Sequence, residues 1–561
     1  MRNRLYLIAD FNADTFARYL ANTAMPDADV KVAPFGQVYQ ALTGPGPGTD
    51  WPALVWTQPE TVSDAFRRAA AFEVVDPAQA LDEVDAFASA VKRFAQHARS
   101  VFVPTWTQPC WERGYGMLEW RPRVGVTHLL ARMNLALADA LAAEPTIFVL
   151  DAARWLATAG PRAVSLKSWY ATKTPFGPAV FETAAADLAA ALDGLGGRAR
   201  RLIILDLDEV LWGGIVGEVG WEGITLGGHD HAGEAFVDFQ RALKALTRRG
   251  IQLAIASKND EAVALEVIDR HPEMQLRRED FAAWRINWAD KGHNVAALLR
   301  EVNLGPESAV FIDDSAAERA RIMNAIPGVL TPDWPDDPAR YRETLAGLRC
   351  FDAPHLTIED RERKGMYIAE RVRKETLATA GDLETWLRSL NMTVSVESLT
   401  AANLVRATQL LNKTNQLNMT TRRLAQQELQ QWVNEPQNLM LTFRVADRFG
   451  DSGLTGIVGL TFEQETARMT DFLLSCRVMG RNVEETMLHA AVTHCRARGV
   501  SSLVAELTPT ARNAPCLAFL ERSGLTRTSA YQFRWDVQLP YGCPPWVNLD
   551  DRTGAVSTAD R

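Results

Sequence analysis

Leu202-Ile-Ile-Leu205 runs directly into Asp206-Leu-Asp-Glu-Val210, and the reading of this stretch decides the fold. A short unbroken apolar run that stops at polar residues is the pattern of a strand buried on both faces. Two further stretches repeat it. Ile251-Gln-Leu-Ala-Ile-Ala256 ends in Ser257-Lys-Asn259, and Ala309-Val-Phe-Ile312 ends in Asp313-Asp314. Between the first two, Phe236, Phe239, Leu243 and Leu246 recur at helical spacing, and Gly250 supplies a stop. Strands alternating with helices predict a parallel α/β sheet, which binds its ligands at the carboxyl ends of its strands.

The residues at those ends specify a chemistry. Several carboxylates at a phosphate site require a cation, and Mg²⁺ prefers oxygen ligands while keeping waters and phosphate oxygens. One carboxylate can then attack phosphorus, and a second, two residues on, can move a proton. A hydroxyl and an ammonium hold the phosphoryl oxygens as charge shifts. Asp206, Asp208, Ser257 and Lys291 fill these four roles in that order. Lys258 and Asn259, directly after the serine, are expected at the substrate.

In order and spacing these residues resemble the haloacid dehalogenase (HAD) superfamily, whose first motif is matched by Asp206-Leu-Asp-Glu-Val210. The resemblance implies Asp206 as phosphoryl acceptor and Asp208 as acid/base. It implies Mg²⁺ held by Asp206, the Asp208 backbone carbonyl and Asp314, with Asp313 behind them supporting Lys291 or the metal. The surrounding text narrows the family. Leu211-Trp-Gly-Gly-Ile-Val-Gly-Glu218, Ile255-Ala-Ser-Lys-Asn-Asp260, Ile286-Asn-Trp-Ala-Asp-Lys291 and Phe311-Ile-Asp-Asp-Ser-Ala-Ala-Glu-Arg319 resemble the FkbH-like proteins. Those take a glyceryl unit from 1,3-bisphosphoglycerate, remove phosphate and load the acyl group on an acyl carrier protein, in polyketide and related pathways. Two positions depart from that pattern: Glu209 stands where Asn is expected, and Ser315-Ala316 where Asn-Pro is expected.

Farther on, Asp471-Phe-Leu-Leu-Ser475 reads as a strand, followed by Cys476-Arg-Val-Met-Gly-Arg-Asn482 and a helix from Val483, with Asn482 and Glu485 spaced as a capping box. A loop feeding a helix N-terminus offers N–H groups and a positive dipole end to an anion. This element resembles the pyrophosphate loop of the GNAT acyltransferase fold. It implies Arg477, Gly480 and Arg481 at the phosphopantetheine phosphate. A thiol at such a position has a lowered pKa, and Cys476 is the candidate acyl carrier, with a small core residue as the plainer alternative. Lys413-Thr-Asn-Gln-Leu-Asn-Met-Thr-Thr-Arg-Arg423 is dense in donors suited to a phosphorylated acyl group or the pantetheine arm, Asn415 among them.

Near the N-terminus, Leu5 to Ala9 reads as a strand followed by Asp10-Phe-Asn. This region stands where the family carries an SGNH-hydrolase-like domain, but it has no Gly-Asp-Ser block and no late Asp-x-x-His, so a docking or structural role is expected. The fold class is therefore α/β in three domains. A degenerate SGNH-like flavodoxin-type domain spans 1–198 and a HAD-like Rossmannoid three-layer domain spans 199–348. A GNAT-like α+β domain spans 349–547, and 548–561 is expected to be a flexible tail.

The 561 residues carry a net charge of −9, which argues against a general nucleic-acid binder. The six cysteines form no Cys-x-x-Cys pair, so neither a zinc site nor a disulfide framework is expected. No secretory segment or membrane span is read, and the expected location is the cytoplasm. Three other readings stay open: a plain Mg²⁺-dependent phosphatase, a GNAT-type N-acyltransferase with an inactive HAD domain, and a non-catalytic scaffold for a carrier protein.

Overall fold

The structure is a computed structural model. It describes residues 4–354 and 381–553 except Asp27, His229, Asn415 and Ala511, together with Arg373, Thr376 and Leu377, and gives no side-chain description of Cys476. The highly charged stretch 360–374, whose sequence suggests a helical connector, lies outside the described residues apart from Arg373. The chain divides into two compact units, Met1–Leu192 and Asp193–Arg561.

The first unit is built on a five-stranded parallel sheet in the order β2-β1-β3-β4-β5: β1 (Arg4–Ala9), β2 (Asp29–Val32), β3 (Gly48–Trp56), β4 (Ala98–Pro104) and β5 (Ile147–Leu150). This is the flavodoxin-type order. The long helix Pro77–Ala95 starts on the Asp76 cap, whose carboxylate accepts from Ala78 N–H, with Pro77 at the first turn.

The second unit holds two sheets. One is a four-stranded parallel sheet in the order β8-β7-β6-β9, from β6 (Leu202–Leu205), β7 (Gln252–Ser257), β8 (Phe281–Ile286) and β9 (Ala309–Ile312). Alternation along these strands explains why both faces are covered. Ile203, Leu205, Leu253, Ile255, Val310 and Ile312 face Phe236, Phe239 and Leu243 of the helix His231–Arg248. Leu202, Ile204, Ala254, Ala256, Ala309 and Phe311 face Val295, Leu298 and Leu299 of the helix Lys291–Glu301. Each fully buried Leu or Ile contributes about 1.5–3 kcal/mol. Polar substitution at any of them would leave the strand no solvated face. Leu205 is level with Ile255 on one side and Ile312 on the other, so the chain emerges from the sheet at Asp206, Ser257 and Asp313 along one edge.

The other sheet is mixed: β10 (Met392–Ser398), β11 (Leu417–Asn418), β12 (Asn438–Asp447), β13 (Gly450–Glu463), β14 (Thr466–Leu474), β15 (Ser502–Glu506), β16 (Thr526–Arg527), β17 (Gln532–Asp536) and β18 (Val547–Asp551), in the order β16-β17-β15-β14-β13-β12-β10-β18. β14 and β15 run parallel only from Thr466/Ser502 to Met469/Ala505. Beyond that β14 leaves β15, and β11 fills the opening against Leu473 and Leu474. Met419 N–H then donates to Phe472 O, and Met419 O accepts from Thr508 N–H.

Two expectations are corrected here. Residues 548–551 are not a tail: they belong to β18, parallel to β10 from Met392/Val547 to Val396/Asp551. Val547 and Leu549 pack against the core, and the Asp551 carboxylate lies 3.5 Å from Nε2 of the buried His494. The second concerns the helix Val483–Ala497. Its N-cap Asn482 has φ 60° and makes no side-chain cap bond. In that left-handed conformation the side chain cannot turn back over the first turn, so no capping box forms.

Candidate active site

Asp206 stands at the edge between β7 and β9, where the sheet's chain order reverses, the position at which open α/β sheets bind ligands. Its backbone N–H still donates to Ile312 O at 3.0 Å, so the carboxylate starts from a rigid strand end. Oδ1 accepts from Leu207 N–H at 2.8 Å and Oδ2 from Lys291 Nζ at 2.5 Å. The lysine also donates to Asp313 Oδ2 at 2.6 Å. Lys291 and Asp313 are almost wholly out of water. The lysine arrives from the first turn of its helix, capped by Asp290, whose carboxylate accepts from His293 N–H.

Charge at this edge is unbalanced. Asp206, Asp313 and Asp314 each bring a carboxylate oxygen within 4.8 Å of the others, against one ammonium. Burial, with the Asp206 charge adding to it, raises the Asp313 carboxyl to about 6 and pushes Asp314 up for the same two reasons. Burial pulls the Lys291 ammonium down, but Asp206 and Asp313 outweigh it and hold the pKa above the usual value. A divalent cation among these oxygens would relieve the repulsion, and an all-oxygen set suits Mg²⁺. The donors present fit such an ion, with the buried Asp206 and the half-buried Asp314 as its carboxylates. Asp313, fully buried against Lys291, orients the lysine and receives Ser315 N–H on Oδ1.

Asp208 points elsewhere. Its Oδ1 accepts from Trp212 Nε1 at 2.8 Å and Val216 N–H at 3.2 Å, and its Oδ2 from Asn259 Nδ2 at 2.9 Å. Its carboxylate is not in the acidic group around Asp206. Burial pushes the carboxyl above the usual range against the pull of the Trp212 and Val216 bonds. A carboxyl so held can keep a proton for a leaving group.

Other expected residues are placed as follows. Ser257 is buried at the end of β7. Asn259 binds Asp208, so its amide is engaged with the acid/base candidate. The Lys258 ammonium is paired with Glu318 at 2.7 Å, a carboxylate in the first turn of the distant helix Ala316–Ala325 that no local pattern connects to it. Residues that sequence reasoning missed secure the site. Arg319 donates to both Asp313 O and Asp314 O, at 2.8 and 2.7 Å, and Tyr341 Oη donates to Glu209 O at 2.7 Å. Glu209 itself has φ 58°, a conformation that Asn tolerates better than Glu, and its Oε1 accepts from Gly214 N–H.

In the mixed sheet, Cys476–Val478 is a single 3-10 turn after β14. The Cys476 side chain and all of Asn415 lie outside what the structure describes. Arg481 is buried, with its guanidinium 3.4 Å from Asp447 and donating to Arg477 O at 2.6 Å. Gly480 N–H donates to Glu484 Oε1 at 3.2 Å, so part of the expected anion loop is satisfied internally. Arg477 is half-buried. Asn418 and Arg422 of the 413–423 stretch also work inward. Asn418 bridges Thr414 O and Thr421 N–H, and Arg422 pairs with the buried Asp471 at 2.5 Å.

In the first unit, Asp10 directly follows β1, buried, with Oδ2 accepting from Gln58 N–H at 2.6 Å and burial raising its pKa. Among the described residues no helix is long and apolar enough to cross a membrane.

No family model matches the chain, and no curated protein matches it. Among solved structures, the N-terminal part of a Bacteroides fragilis protein containing a phosphatase domain, complexed with Mg, is 25% identical with a TM-score of 0.57, covering 63% of this chain and 95% of that one. A spermidine N-acetyltransferase from Vibrio cholerae is 12% identical with a TM-score of 0.21, over 26% of this chain and 94% of that one. An IAA acetyltransferase from Bacillus cereus is 15% identical with a TM-score of 0.19, over 24% and 79%. The chain is a multi-domain α/β protein.

Proposed function

We propose that this protein is an FkbH-like acyltransferase with HAD-type phosphatase activity. It takes a phosphorylated three-carbon acyl donor, 1,3-bisphosphoglycerate, removes phosphate and loads the glyceryl group on the phosphopantetheine thiol of an acyl carrier protein. The observation that carries the phosphatase half is the buried Lys291 held between Asp206 and Asp313, beside Asp314. The Mg-bound phosphatase-domain structure supports the same reading.

In this reading Asp206 attacks the phosphorus of the donor's C3 phosphate ester and the P–O bond to the C3 oxygen breaks, so the acyl phosphate at C1 stays activated for transfer. Asp208, its carboxyl raised and oriented by Trp212 and Asn259, gives its proton to the departing oxygen and then takes one from the water that frees phosphate. Lys291 and Ser257 hold the phosphoryl oxygens. Asp206, Asp314 and the Asp208 carbonyl would hold Mg²⁺, which would supply charge neutralisation at phosphorus. The mixed-sheet domain passes the acyl group onward with Cys476 as the candidate thioester carrier: its thiolate attacks the C1 carbonyl, the C–O bond to the acyl phosphate breaks and phosphate leaves, and the phosphopantetheine thiol then displaces the Cys476 thiolate. A plain phosphatase is the second reading, favoured by the internal engagement of Gly480 and Arg481.

The test is intact-mass analysis of a phosphopantetheinylated carrier protein after incubation with the enzyme, Mg²⁺ and 1,3-bisphosphoglycerate. An added glyceryl mass is expected. Phosphate release with an unmodified carrier would leave the plain phosphatase, and turnover of acetyl-CoA with an amine would point to an N-acyltransferase. Asp206→Asn should abolish phosphate release. Cys476→Ala should retain it and stop loading, and loading that persists removes Cys476 from the mechanism.

A further inference from the structure

In the first unit the loop between β4 and the helix Val126–Leu141 presents Trp111, Met117, Leu118 and Trp120 to solvent, Met117 at 98% and Trp120 at 68% exposure. Single exposed apolar residues are ordinary, but several on one connecting loop of a folded domain mark a contact surface. The loop is built rather than slack. The Glu119 carboxylate accepts from Tyr115 N–H and from Thr127 N–H, and Glu119 O accepts from His128 N–H. Gly125 passes so close that a Cβ there would lie 1.8 Å from Glu119 O. Phe72, at φ 63°, stands edge-on to Tyr115 at 4.9 Å while remaining mostly exposed. That backbone conformation is unfavourable for a bulky side chain and is held in place by the helix end before it.

The charge on this loop is the reverse of the chain's. Arg113, Arg121 and Arg123 are all exposed, and none is in an ion pair among the described residues. Of the loop's two glutamates, Glu119 is occupied by backbone N–H groups, leaving Glu112 as the one outward acid. Trp, Met and Arg together are the composition of interface centres. On a chain of net charge −9, a locally basic, aromatic surface selects an acidic partner that presents apolar side chains.

We propose that this loop is where an acidic acyl carrier protein docks, its apolar side chains on Trp111, Met117 and Trp120 and its carboxylates against the three arginines. The partner's identity rests on the carrier reading above. The surface itself does not, and binding can be measured without turnover. Full-length protein is titrated into fluorescently labelled phosphopantetheinylated carrier, and anisotropy is followed at low and high salt. Binding is expected, weakened by salt, and reduced about 10-fold in Arg113→Glu/Arg121→Glu and at least about 10-fold in Trp120→Ser. Phosphate release from the donor should be unchanged in both variants, and reversing carboxylates of the carrier to lysine should restore binding to the arginine variant.

Unchanged affinity in both variants overturns the proposal. So does a wild-type protein that ignores the carrier but binds anionic phospholipid vesicles, or one whose loop is buried in a dimer by light scattering with Trp120→Ser becoming monomeric. A carrier bound through this loop but never loaded would sink the transferase reading and leave the docking surface standing. A carrier loaded with unchanged KM by both variants would do the opposite.

Discussion

Replacing Lys291 by Met leaves Asp206 and Asp313 facing each other without the ammonium that now sits 2.5 and 2.6 Å from them. Truncating one member of a buried ionic group costs about 3–5 kcal/mol, because the remaining charges stay desolvated. Here the cost has a relief valve. With the lysine in place the Asp313 carboxyl is already raised to about 6, burial first and Asp206 second, which corresponds to about 3 kcal/mol against ionisation in the fold. Without Lys291 the carboxyl moves higher still and takes up a proton on folding. The unfolded chain releases that proton above the ordinary carboxylate value, so stability is highest in acid and falls as pH rises through the raised pKa, by up to about 1.4 kcal/mol per pH unit. The variant should therefore lose about 3–5 kcal/mol near pH 8 and much less near pH 5. Thermal unfolding in EDTA across that range reads the effect, and Lys291→Met/Asp313→Asn should recover most of the loss near pH 8. A Lys291→Met protein less stable in acid than at pH 8, or a double variant no better than the single one, would refute the account of a charge-starved acidic edge.

Asn259→Ala removes one of the bonds that orient Asp208. It should lower kcat for phosphate release about 10–100-fold with little change in KM, whereas a dominant rise in KM would place Asn259 on the substrate instead. Mg²⁺ affinity should increase as pH rises through about 6, because Asp313 and the neighbouring raised carboxyls must give up protons for the ion. Calorimetry in two buffers of different ionisation enthalpy would show proton release below that pH, and a pH-independent affinity would contradict it. Leu549→Ala should destabilise the mixed-sheet domain by about 1–2 kcal/mol, since Leu549 packs on its core. No change in thermal stability would mean that β18 is not held in solution.

What could be read from the chain alone was what short-range physics writes locally. Unbroken apolar runs such as Leu202–Leu205 and Ala309–Ile312 can be satisfied only by a strand covered on both sides, and a parallel sheet must place their polar ends on one edge. That reasoning pointed to Asp206, Asp208, Ser257 and the Asp313-Asp314 pair, because each follows an apolar run, while Lys291 came from its place in the motif order. It could not say which groups would meet across tens or hundreds of residues. Lys258 is paired with Glu318, and Arg481 is drawn into the core by Asp447. Asp208 is turned aside by Trp212 and Asn259, and a polar-looking end becomes β18 because β10 offers it an unpaired edge. These are choices between equally good local partners. Only the packed chain makes them, by bringing one carboxylate within reach of a buried cation and leaving the other in water.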